Sequence, residues 1–112
     1  MYVNLFPFNA LANSVALAVG TSTANVAIPP PAQGNSPNMV SVRVVNSGTN
    51  LVWVNFGNST VTAAIPATTA NGAGVALLPN TEKTFLVQAG SYIAAIAAAT
   101  GNTVYVTAGE SE

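Results

Sequence analysis

From residue 39 onward the apolar positions recur every second residue rather than every third or fourth, the period of an extended chain. Val40, Val42 and Val44 fall on one side of residues 39–45, and Ser41 and Arg43 on the other. Asn46-Ser47-Gly48-Thr49-Asn50 follows, a cluster whose Gly, Asn and Ser favour a turn. Residues 51–56, Leu-Val-Trp-Val-Asn-Phe, are rich in β-branched and aromatic side chains and end at Gly57-Asn58-Ser59. Two strand-like runs around a turn cluster read as a β-hairpin.

Shorter runs of the same kind continue along the chain. Residues 61–65 predict a short strand stopped by Pro66, and residues 67–74, small and glycine-containing, an exposed flexible loop. Residues 75–78 predict another strand and Pro79-Asn80 a turn; residues 83–87 then place Phe85 and Val87 on one face. Residues 92–98 are alanine-rich, which favours helix, but their shortness, the flanking Gly90 and Gly101 and the β-type neighbours favour a strand buried on both faces. Residues 103–107 alternate clearly.

Ahead of residue 39, residues 1–8, 14–19 and 23–28 each have strand character. Residues 28–38 contain three consecutive prolines, which lack the ladder donor and favour a stiff extended connection. The fold expected is all-β: an antiparallel β-sandwich, jelly-roll-like, with an N-terminal extension or arm. It is one domain over 1–112, with arm, strands and the Pro-rich connection in 1–38 and the main sandwich in 39–112.

Charge alters the picture most. Only 4% of residues are charged, against about 25% in an ordinary soluble domain. The inventory is Arg43, Lys83, Glu82, Glu110 and Glu112, with no Asp, His or Cys. Two cations cannot neutralise a run of phosphates, so nucleic acid is not an expected partner; neither is a membrane, for want of a basic cluster or a long apolar span. The first residues lack the basic start of a secretory signal. A nearly neutral chain has little repulsion between copies, which predicts a homo-oligomer or lattice contacts.

The same scarcity excludes most chemistry. Without His or Asp no Ser–His–acid arrangement or facial metal triad can form within the chain, so no catalytic, metal or cofactor site is expected, and no enzyme. Glu82 and Lys83 are sequence neighbours that point to opposite faces of a strand, as solvated turn or edge residues. Gly72-Ala73-Gly74 lacks the helix and cation of a phosphate loop, and the sequon Asn58-Ser59-Thr60 reads as a strand-end turn. Candidate contact residues remain. Arg43 sits mid-strand opposite the valines, either solvated or forking to a partner. Trp53 lies either on that same outer face as an interface anchor or in the core. Tyr2, Leu5, Phe6 and Phe8 form either a first core strand or an arm that docks on a neighbouring subunit. Tyr92 and Tyr105 offer flat rings for packing or for a sugar.

Several stretches carry a resemblance. They are Val42-Arg43-Val44-Val45-Asn46-Ser47-Gly48-Thr49-Asn50 with Val52-Trp53-Val54-Asn55-Phe56-Gly57, and Leu78-Pro79-Asn80-Thr81-Glu82 before Phe85. Ile93-Ala94-Ala95-Ile96 and Val104-Tyr105-Val106-Thr107-Ala108-Gly109-Glu110 complete the set. Over residues 40–109 the chain resembles small head decoration (cement) and minor structural proteins of tailed bacteriophages. The resemblance implies a β-sandwich on the outside of a phage head, made in the host cytoplasm, that bridges and stabilises major capsid protein subunits. It supplies no catalytic residue. Two other readings of the chain stand beside it: a carbohydrate- or receptor-binding module of tail-fibre type, and a connector or tail component.

Overall fold

The structure, a computed structural model, describes residues 9–10, 13–29 and 39–110. Its strands are β1 (Asn9–Ala10), β2 (Val15–Val19), β3 (Ala24–Ala27), β4 (Met39–Asn46), β5 (Val52–Gly57), β6 (Val75–Leu77), β7 (Thr81–Gln88), β8 (Tyr92–Ala97) and β9 (Asn102–Glu110). Among the described residues there is no helix.

The strands form two antiparallel sheets. One runs β2-β9-β4-β7, with β1 also pairing β9; the other runs β3-β8-β5-β6. Pairing is nested: β5 with β6, β4 with β7, β3 with β8 and β2 with β9. That is one long hairpin rolled up on itself, the jelly-roll solution to burying two sheet faces at once. The sandwich and its jelly-roll order are as expected. The N-terminal portion supplies edge strands to both sheets through β2 and β3.

Alternation positions the core. Val42 and Val44 of β4, Val52 and Val54 of β5, Ile93 and Ala95 of β8, and Val104 and Val106 of β9 are fully buried between the sheets. The β-branched residues suit a pleated surface, and burying each contributes roughly 1.5–3 kcal/mol. Phe56 of one sheet meets Phe85 of the other with ring centroids 5.1 Å apart, closing one side of the sandwich. Residues 92–97 are strand, not helix, and Ala94 and Ala95 are both buried although they point to opposite faces. Small side chains are what allow that strand to be covered twice.

Three local expectations need correction. Residues 39–45 and 51–56 form β4 and β5, but they belong to different sheets and do not pair as a hairpin. In a rolled hairpin every connection from β2 to β9 crosses between sheets except that from β5 to β6. The turn cluster is therefore an arch over the end of the core. Residues 61–65 are not a strand; they run as a strap across the outside of the second sheet. There the Asn25 side-chain amide donates to the carbonyls of Ser59 and Val61 (3.1 Å each) and that of Asn55 to Thr62 (2.9 Å). The Ala63 N–H donates to Thr23 Oγ1 (2.8 Å), and Ala63 is buried. Residues 67–74 are mostly exposed, as expected, but are built into a small hairpin. Ala64 pairs with Ala73, and Ala67 with Ala70.

The arch is fastened by asparagines. Asn46 continues the inward row of Val40, Val42 and Val44 and is fully buried. Its amide donates to the carbonyls of Asn50 (2.9 Å), Leu77 (3.1 Å) and Leu78 (3.2 Å), and its Oδ1 accepts from the Gly48 N–H (3.0 Å). Asn102, also buried, donates to Ala99 O (2.9 Å) and accepts from the Asn50 N–H (3.3 Å). One side chain thus ties the end of β4 to the β6–β7 connection, holding the two sheets together where the valines stop. Buried polar groups require such partners, and no buried side-chain N or O among the described residues lacks one.

Candidate functional site

Of the candidate contact residues, Arg43 and Tyr105 lie on the outer face of the first sheet. With Val42 and Val44 turned inward, Ser41, Arg43 and Val45 of β4 must face out. Register places Tyr105 beside Val45 and Ala16 beside Tyr105, so these three form a row across β4, β9 and β2. Arg43 sits between Thr107 and Thr84 in the next row, and Ser41 between Gly109 and Leu86 in the third. Leu86 is 68% exposed and Tyr105 46%, the apolar high points of an otherwise Thr-, Ser- and Ala-lined face. Ser14 and Thr107 share a hydroxyl–hydroxyl hydrogen bond at its border.

Electrostatically the face is quiet. The Arg43 guanidinium donates through Nε (2.6 Å) and Nη2 to Glu82 Oε1, from β4 across to edge strand β7. Glu82 and the strand arginine therefore neutralise each other, and Arg43 presents an occupied guanidinium rather than an open fork. Both groups are about half exposed (42% and 52%), so the pair adds less than about 1 kcal/mol to stability. Lys83, the neighbour of Glu82, points to the opposite face of β7, as alternation required. A charge there discourages pairing along the edge of an eight-residue strand.

Trp53 takes the outward alternative, since Val52 and Val54 are buried, but its face belongs to the other sheet. It lies half-buried between Ala76 of β6 and Ile96 of β8. Arg43 and Trp53 thus stand on opposite outer faces, so the alternative that set the two side by side on one face is not formed. Tyr92 and Tyr105 are likewise divided between the sheets. Tyr2, Leu5, Phe6 and Phe8 and most of the proline run lie outside the described residues. Leu86, Val45 and Ala16 were not singled out in the sequence; the signal for Leu86 was its place between Phe85 and Val87, which face inward. Among the described residues there is no group of three or more His, Cys, Asp or Glu able to hold a metal. Asn58 Oδ1 accepts from the Thr60 N–H (2.9 Å) and hydroxyl (2.7 Å), the strand-end turn expected of the sequon.

Fold and surface together define a small jelly-roll sandwich with one nearly neutral, gently apolar outer face. No protein-family model matches the sequence, and no curated protein matches it. Among solved structures the chain is similar to one from Bacillus endospore appendages, described as a novel family of disulfide-linked pili. The identity is 10%, the match covers 98% of this chain and 96% of that one, and the TM-score is 0.45. Likeness at that level carries no function to this chain.

Proposed function

We propose that the chain is a structural protein that works by contact: a decoration protein on the outside of a phage head, bridging major capsid protein subunits. The observation that carries this reading is the outer face of the first sheet. Its arginine is neutralised within the chain, and Tyr105 and Leu86 stand exposed among small and hydroxyl-bearing residues. Such a face loses little desolvating charge when covered and gains from each apolar area removed from water, at about 25 cal/mol per Å² before the costs of association. Its function is shape complementarity rather than turnover, and each copy's modest contribution is multiplied over a symmetric shell.

The test is direct. Shells of the virus that encodes the chain, assembled with and without it, are compared by particle imaging and by resistance to heat. Density for the sandwich on the head surface and a higher disruption temperature support the reading. Substituting Tyr105→Glu or Leu86→Glu is expected to release the protein from shells while its own unfolding transition stays in place. Undecorated shells as heat-resistant as decorated ones would overturn the stabilising role. Saturable binding in a glycan screen would replace this function with sugar recognition.

A further inference from the structure

The geometry points to Asn71–Gly72, on the returning arm of the 64–73 hairpin, as a self-modifying site at which the folded protein converts Asn71 to aspartate and isoaspartate. In the reaction the Gly72 backbone nitrogen, losing its proton, attacks Asn71 Cγ. Ammonia leaves and a five-membered succinimide closes. Water then opens either imide carbonyl, giving Asp through one and isoAsp through the other, with no oxidant or cofactor needed.

Three observations place it here. Asn71-Gly72 is the only Asn-Gly step in the sequence; every other asparagine is followed by a residue whose side chain hinders the attack. Both residues are exposed. They also lie between the two bonded pairs of the hairpin, Ala67 with Ala70 and Ala64 with Ala73. The hydrogen bonds of that hairpin use the N–H groups of Ala64, Ala67, Ala70 and Ala73, and leave that of Gly72 uncommitted to protein acceptors.

The fold also prevents escape by substitution at residue 72. A Cβ there would stand 2.5 Å from Pro66 N and 2.6 Å from Ala64 O, closer than real contacts allow. That arm therefore requires the same glycine that makes the preceding amide labile. Five other asparagines are held differently. Asn46 and Asn102 are buried with their amides bonded, those of Asn25 and Asn55 pin the strap, and Asn58 keeps its Oδ1 on Thr60.

The consequences are electrical and mechanical. Conversion adds one negative charge to a chain whose formal net charge is −1, a large relative change for a surface this neutral. IsoAsp also lengthens the backbone by one atom between Ala70 and Ala73, which loosens the Ala64–Ala73 pair. In an array of many copies these hairpin arms would change with particle age.

Purified folded protein is held at mildly alkaline pH and followed by charge-resolved electrophoresis and by tandem mass spectrometry that locates isoAsp. A urea-unfolded sample and the Asn71→Gln variant run in parallel. The expected result is one acidic step, mapped to Asn71 in the folded protein, faster at higher pH and missing in Asn71→Gln, whose thermal unfolding is unchanged. Faster hydrogen exchange at Ala64 and Ala73 in the converted form supports the mechanical part. If the unfolded chain converts at Asn71 while the folded one does not, or if Asn58 converts as quickly, the proposal is wrong.

Discussion

Replacing Asn46 by alanine tests whether the arch fastening holds the two sheets together. The side chain is fully buried, and its partners include the Leu77 carbonyl and the Gly48 N–H at buried positions. Truncation removes this bond from both buried groups, at about 1–3 kcal/mol each. The bonds to Asn50 and Leu78 are part-buried, so water replaces them at little cost. We expect a loss of about 4 kcal/mol. At ~0.05–0.15 kcal/mol per residue, a chain of 112 residues is stable by about 6–17 kcal/mol, so the variant still folds. Urea unfolding followed by Trp53 fluorescence is the assay. With a slope of about 1.5 kcal/mol/M the midpoint falls by roughly 2–3 M. Asn46→Asp, which keeps the shape but can only accept hydrogen bonds, is expected to be at least as damaging. Asn58→Ala at an exposed turn is the control, expected within about 1 kcal/mol of the parent. A midpoint lowered by less than about 0.5 M in Asn46→Ala would refute the fastening role.

Further outcomes follow from the same structure. Gly74 has φ 126°, and a Cβ there would lie 2.5 Å from the Val54 carbonyl; Gly74→Ala is expected to cost about 2–4 kcal/mol in the same unfolding assay, from backbone strain and overpacking. Ile93→Ala, at a fully buried position, is expected to lower stability by about 2–5 kcal/mol in calorimetry. Arg43→Ala or Glu82→Gln breaks an exposed pair and is expected to shift stability by less than about 1 kcal/mol, measured by thermal unfolding in low and high salt. Trypsin can cut only after Arg43 and Lys83. Arg43 lies in β4, bonded on both sides by β7 and β9, so intact native protein over hours is expected, and rapid cleavage after Arg43 without unfolding would contradict the fold.

The period-two alternation of residues 40–44 and 103–107 was enough to show strands and to say which side chains turn inward. The same parity put Lys83 opposite Glu82. The shortness of residues 92–98, their flanking glycines and their β-type neighbours indicated a strand covered on both faces, against the helix preference of their alanines; in the fold those small side chains are what fit beneath the strap. Composition, with no His, Asp or Cys, limited the chemistry before any coordinates.

Which strand neighbours which was a different matter. Alternation tells a residue that it faces the core, but a valine meets the core equally well from either sheet, and the turn cluster at residues 46–50 serves an arch as readily as a hairpin. Only closure of the rolled hairpin separated β4 from β5, set Arg43 and Trp53 on opposite faces, and joined Arg43 to Glu82 across thirty-nine residues of chain. It likewise turned Asn46 from a turn-former into a buried clasp, because its partners, Leu77 and Leu78, arrive from a distant part of the chain. Local pattern determines the face a side chain takes; long-range register alone decides what it meets there.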